Sequence, residues 1–371
     1  MTMFNINDPE DYNDGYYHVS KDVKDYPDAT VFVIWSRRGP GKTYSSLRYP
    51  YHPDDRDPFK TIYLKRTAED VRTICTYDGD SDLDPSPWKK LNMDFGLDVK
   101  PKLITKKQGI GAFYNCNEDG IPSGKVINYL LALNTIKIVK GVDFSDAEWI
   151  IFDEFIPQPG EVVKRAEGVM LLNFFETVNR DRRKRGKDGL KLILMANAEE
   201  ISTPVTNELD IVDTMADMQA HKQHKLYIPE RRILLHHISN EECPRADKDI
   251  DMEAVMKGTA FAKRAYEGEF TNDFSMIKPV SIKGMRCLFK LHFNMIKDAY
   301  IYMNPKTGIY YMTHIKGNYI QEYNLDRENQ QKKFHFEHGI HLKEMCIDDR
   351  FFFEKYTYYD LIINFSKIYK M

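Results

Sequence analysis

Ser36-Arg37-Arg38-Gly39-Pro40-Gly41-Lys42-Thr43 follows the apolar run Thr30 to Trp35 and leads into a segment that can begin a helix at Lys42. The octet fits the phosphate-loop pattern G-x-x-x-x-G-K-[ST] except at its first position, where Ser36 stands for glycine. Gly39 and Gly41, on either side of Pro40, let backbone N–H groups turn inward around a phosphate. Lys42 has the reach for β- and γ-phosphate oxygens, the Thr43 hydroxyl suits Mg²⁺, and the helix start continuing into Tyr44 favours an anion. A second group lies at Asp153-Glu154, closing the apolar run Trp149 to Phe152. An aspartate at the end of a buried strand can hold the shell of a magnesium ion, and a glutamate beside it can orient and deprotonate an attacking water. Together the two motifs predict binding and hydrolysis of ATP with Mg²⁺. A glycine-rich turn and an unrelated acidic turn would have to coincide to imitate them.

Other residues could complete this chemistry. Asn197 ends the apolar run Leu190 to Met195 and is placed to sense the γ-phosphate or position water; a strand-ending Asn in a turn is the plain alternative. Phosphoryl transfer needs positive charge on the developing transition state. Arg38, inside the loop, and Lys140, before the acidic strand, are candidates in cis. Residues 179–187 (NRDRRKRGK) hold six basic residues against one acid. Such a run can project into a neighbouring copy's site or, through Arg182, Arg183, Lys184 and Arg185, face a phosphate backbone. A solvated loop has the same composition. Lys106 and Lys107 are further DNA-facing candidates, with ordinary surface lysine an equal alternative.

These groups need elements to hold them. Thr30–Trp35, Thr61–Lys65, Trp149–Phe152 and Leu190–Met195 read as short buried strands, and Gly168–Asn179 has helical spacing. Pro50 is expected to stop the helix after the phosphate loop early. Residues 76–125 read as loop-rich, and Val126–Leu133 with Thr135–Val139 as a strand pair. Strands interleaved with helices predict an α/β layer structure. The adjacent Asp-Glu points to the P-loop NTPase branch with an added catalytic glutamate. In that branch a further strand separates the phosphate-loop strand from the acidic one, and Thr61–Lys65 is the candidate. Residues 205–275 read as mainly helical, and 299–313 as a Tyr-rich hairpin.

Composition sets the outer limits. The chain has 371 residues, 42% hydrophobic and 29% charged, enough for two domains with real cores. Mean hydropathy is −0.54, and the sequence holds no apolar run of membrane-spanning length. The acidic start lacks a signal-peptide core, and five scattered cysteines without a CxxC pair suit a reducing cytoplasm rather than secretion. Residues 276–371 carry 15 Lys/Arg against 10 Asp/Glu, and 18 of the 44 Phe and Tyr, whereas the rest is net acidic. That shift predicts a boundary near 275 and a division into 1–204 (ATPase), 205–275 (helical linker or lid) and 276–371 (small C-terminal α+β domain). His335, His338 and His341 read as packing histidines, and Phe351-Phe352-Phe353 as core.

The combination of SRRGPGKT (36–43), TIYLKRT (61–67), IKIVKG (136–141), WIIFDEF (149–155), the basic run, LILMANAEE (192–200) and GTAFAKRAYEGEF (258–270) resembles the DNA-encapsidation ATPases of short-tailed phages. The resemblance spans about residues 30–275. It implies a P-loop ATPase domain with a mostly parallel sheet covered by helices on both faces, a helical linker, and a small C-terminal domain similar to a reduced RNase H-like nuclease without cutting activity. It further implies a ring, commonly of five copies, that docks on the prohead portal and drives double-stranded DNA inward, transiently at the portal vertex in the host cytoplasm. An RNA adaptor is among the partners it admits. Arg38 matches the arginine of the family's phosphate loop, and Arg180 is chosen for the arginine acting in trans. Another ring translocase such as a helicase, or a nucleotide-dependent nucleic-acid-binding scaffold, shares these residues and stays open at this point.

Overall fold

The computed structural model describes residues 15–52, 57–76, 84–139, 142–244 and 250–371. Two compact units divide the chain. The first comprises Met1–Leu209 and His221–Thr271, the second Asp210–Ala220 and Asn272–Met371.

The first unit is built on nine strands: β1 (Val31–Ser36), β2 (Lys60–Lys65), β3 (Val99–Thr105), β4 (Ile110–Cys116), β5 (Pro122–Ala132), β6 (Ala147–Asp153), β7 (Lys191–Asn197), β8 (Lys225–Ile228) and β9 (Ile233–Ile238). Their order is β3-β4-β5-β2-β6-β7-β1-β9-β8. The pairings β5–β2, β2–β6, β6–β7, β7–β1 and β1–β9 are all parallel, and antiparallel partners close both edges. β1 is buried throughout and β6 and β7 nearly so, as expected of strands covered on both faces. Helix α1 (Val19–Asp25) precedes β1, and α2 (Lys42–Tyr51), α3 (Ala68–Cys75), α4 (Lys89–Phe95), α5 (Glu167–Asn179) and α6 (Pro204–Glu208) lie between strands in chain order. α1 is pinned from below: His236 of β9 is buried between the carboxylates of Asp22 (2.6 Å) and Glu242 (2.8 Å).

Four expectations are corrected here. The slot between the phosphate-loop strand and the acidic strand is filled by β7, while β2 lies beyond β6. Residues 133–139 form a 3₁₀ helix, and β5 pairs with β4 and β2 instead. The stretch 76–125 contains α4, β3 and β4. Residues 205–275 contribute β8 and β9, whose Ile-Leu-Leu-His-His-Ile is buried against β1. Pro50 lies in the last turn of α2, which ends one residue later at Tyr51, so the ring displaces only terminal hydrogen bonding.

In the second unit β10 (Arg286–Phe293), β11 (Lys297–Met303), β12 (Tyr310–Thr313), β13 (Gln321–Asn324) and β14 (Phe351–Phe353) form a sheet in the order β13-β10-β11-β12-β14. The expected hairpin is the antiparallel pair β11–β12. Phe351 and Phe353 are buried in its core with Leu291, Ile301 and Met312. The three histidines pack on aromatic rings: His335 on Phe365, His338 on Phe289, His341 on Tyr310. Helix α7 (Val212–Ala220) belongs to this unit. The Asp213 carboxylate accepts from the Thr357 N–H (2.9 Å) and hydroxyl (2.8 Å).

Candidate nucleotide site

Parallel strands end at one edge of the sheet, and three of those ends carry the motif residues. Ser36 closes β1, Asp153 closes β6 and Asn197 closes β7, with Ser36 in register with Asn197 and Asp153 with Met195. The loop from β1 to α2 turns at Gly39 (φ 97°) and Gly41 (φ 91°), left-handed positions where a side chain is strained. Lys42 is buried beneath it. Its Nζ donates to Ser36 Oγ, to the Arg37 carbonyl (3.1 Å) and to Asn197 Oδ1 (3.3 Å). Burial pulls this ammonium down to about 8, against the opposing pull of Asp153. The Thr43 hydroxyl donates to Asp153 Oδ2 at 3.1 Å, so a hydroxyl and a carboxylate oxygen meet as hard-cation ligands do. Ser36 keeps its place in the loop by donating its hydroxyl to the Arg37 carbonyl (2.6 Å) while accepting from Lys42.

Glu154 follows with φ 58°, an uncommon conformation for a residue with a side chain, costing roughly 1–2 kcal/mol. Its carboxylate accepts from Lys65 Nζ (3.1 Å) and Gln158 Nε2 (3.2 Å). Burial alone would push its pKa up; the Lys65 charge and the two hydrogen bonds outweigh this and keep it below the ordinary glutamate value. The carboxylate is therefore ionised, the form that can take a proton. Tyr63 donates to Asp153 Oδ2 at 2.6 Å, and Arg66 donates to the carbonyls of Glu154 and Phe155 at 2.9 Å each.

The remaining expected residues fall in distinct places. Arg38 is exposed beside the site, 3.4 Å from Gln158 Oε1. Arg37 points away: its guanidinium donates to Asn240 Oδ1, to the Arg38 carbonyl and to the Cys243 carbonyl, bracing the loop from behind. The Tyr44 hydroxyl donates to Asp94 (2.9 Å). Lys140 lies outside the described residues. Lys106 and Lys107 are exposed in the β3–β4 turn. The basic run precedes β7, so it lies at the far edge of the sheet, about 20 Å of strand away from Asn197. Arg180 is exposed there and lines a cavity of about 490 Å³ with Phe144, Phe174 and Val178. Arg183, Lys184 and Arg185 are exposed, with Lys184 paired to Asp181. Arg182 is the correction in this set. It is 2% exposed and donates to the carbonyls of Ser145, Ala147 and Asp188, so it clamps the loop and cannot also contact DNA.

Tyr63, Lys65, Arg66, Gln158 and Gly268 escaped the sequence reading. Gly268, with φ 70°, lies so close to the loop that a Cβ would stand 2.4 Å from the Arg37 nitrogen. The end of the stretch GTAFAKRAYEGEF, at Gly268, thus packs on the phosphate loop. The apolar-to-basic step in TIYLKR was the one available sign of the β2 residues.

The fold and the site define a P-loop α/β protein of the NTPase class, with the Asn197 strand between the phosphate-loop and acidic strands. No protein-family profile matches the chain, and no curated protein matches it in sequence. Solved structures do. A structure of the Phi-28 gp11 DNA packaging motor is 18% identical with a TM-score of 0.58, covering 96% of this chain and 98% of that one. A structure of the bacteriophage Phi-29 viral genome packaging motor assembly is 16% identical with a TM-score of 0.64, covering 95% and 99%. At these identities the likeness is one of fold. It extends over both units of the chain, beyond the residues 30–275 that carried the resemblance in sequence.

Proposed function

We propose that the chain is an ATPase that translocates double-stranded DNA, packaging a viral genome into a preformed capsid. The supporting observation is the convergence of Lys42, Thr43, Asp153, Glu154 and Asn197 at one sheet edge, in a chain with the fold of packaging-motor structures. Residues 36–43 cradle the phosphates, and Lys42 lies against the β- and γ-oxygens. Thr43 and Asp153 would hold Mg²⁺, which would supply positive charge to offset that of the phosphates. Glu154 takes the proton of the water that attacks the γ-phosphorus as the bond to the ADP oxygen breaks. Asn197 orients that water, and Arg38 stabilises charge in cis.

The distance of the basic run from its own phosphate loop favours a role for Arg180 in trans, on the next copy in a ring. Such a ring, commonly five-membered in the family it resembles, docks on the portal and grips DNA through phosphates at Arg183, Lys184, Arg185, Lys106 and Lys107. The grip is then steeply salt-dependent and weakly sequence-dependent. Among the described residues no helix is long and apolar enough to cross a membrane. The test mixes Glu154→Gln with Arg180→Ala protein in the assembled motor. Recovered turnover in the mixture supports the shared site, wild-type turnover by pure Arg180→Ala rejects the trans role, and failure of the wild type to bind Mg-ATP rejects the whole reading.

A further inference from the structure

We propose that Arg66 is a positioning residue for Glu154, acting on its backbone rather than its carboxylate; this rests on the nucleotide reading above. Arg66 follows β2, whose neighbour β6 ends at Asp153. Its guanidinium is buried and each of its three nitrogens donates. Nη2 donates to the carbonyls of Glu154 and Phe155 at 2.9 Å each, Nε to Glu167 Oε2 at 3.1 Å, and Nη1 to Glu161 Oε2 at 2.6 Å. One side chain thereby ties the acidic turn to the loop after it and to the first residue of α5.

The need for such a tie is visible at Glu154 itself. Its left-handed backbone is one that an L-residue leaves readily unless its surroundings hold it. On the far side the Phe155 N–H donates to the Met195 carbonyl at 3.1 Å, fixing the turn to β7. Arg66 fixes the two carbonyls that this bond leaves free. With both anchors in place the Glu154 carboxylate leaves the sheet edge in one direction, next to Asp153 and the Lys42 pocket. A planar guanidinium can serve two carbonyls and two carboxylates at once, whereas an ammonium cannot span that set.

The experiment compares wild type with Arg66→Lys, which retains a charge for Glu167 and Glu161 but cannot reach both carbonyls. Misplacing a general base without removing it lowers the chemical step and spares binding. The expected result is a kcat about ten-fold or more below wild type, with the Kd for Mg-ATP within about two-fold. In Arg66→Ala, added methylguanidinium should restore part of kcat and leave KM unmoved, a response that lost packing alone would not give. If melting shows that neither variant folds, Arg66→Gln/Glu167→Gln removes the buried charges together and carries the same expectation. Wild-type kcat in a folded Arg66 variant overturns the proposal, as does a loss confined to Mg-ATP affinity. If wild-type protein neither binds nor hydrolyses Mg-ATP, the nucleotide reading has failed rather than the role of Arg66.

Discussion

Burial holds the free Lys42 ammonium at about 8, and a polyphosphate beside it would raise that value again. Binding then draws a proton from solution once the free amine begins to deprotonate. The sign follows: the Kd for Mg-ATP is flat below pH 8 and rises by up to about ten-fold per pH unit above it. Calorimetry in two buffers of different ionisation heat should show proton uptake at pH 8.5 and almost none at pH 7; equal heats at both values would contradict it. At this scale the sequence was legible where chemistry constrains neighbours along the chain, as at Lys42-Thr43 and Asp153-Glu154. It was silent on Tyr63, Lys65, Arg66 and Gly268, whose proximity to the site comes from β2 pairing with β6 and from a glycine more than two hundred residues beyond the loop it touches. Arg37 and Arg182 show the converse: basic residues in a functional motif whose guanidinium groups are taken by backbone carbonyls.

Among the elements, β1, β6 and β7 were readable because a strand buried on both faces is a plain apolar run. β3, β4 and the start of β5 before Val126 were harder. Lysines, glycines and two prolines, Pro101 and Pro122, dilute their pattern, and long-range pairing overrides it. β9 was hidden by two histidines inside an otherwise apolar hexapeptide, both buried. The loop before β7 separates two kinds of cation. Arg182→Ala should cost about 3 kcal/mol in a denaturant melt, because it leaves buried carbonyls without donors. Arg183→Ala should leave stability within about 0.5 kcal/mol and lower the salt slope of DNA binding by about one. A surface-like melt for Arg182→Ala would show that its carbonyl bonds are dispensable.

For the molecule as a whole, the division after Thr271 omits a piece. The second unit includes α7, drawn from residues 210–220, with Val212, Met215, Ala216 and Met218 buried. A fragment of 272–371 alone should be less stable than one with 210–220 linked to it, by about 3 kcal/mol or more from the apolar surface left open. Denaturant midpoints of the two fragments measure this; equal midpoints would mean that α7 contributes nothing to that core.

The parallel sheet also has a direction. The phosphate loop lies at the rim where its strands finish, and Arg180 near the rim where β6 and β7 begin. If each copy completes the next around a ring, the contact is head-to-tail, with two different surfaces meeting at every boundary. An open file of copies then always holds one complete site fewer than it has members. Only closure of the circle equalises the two counts, so the last copy to join would complete two sites at once.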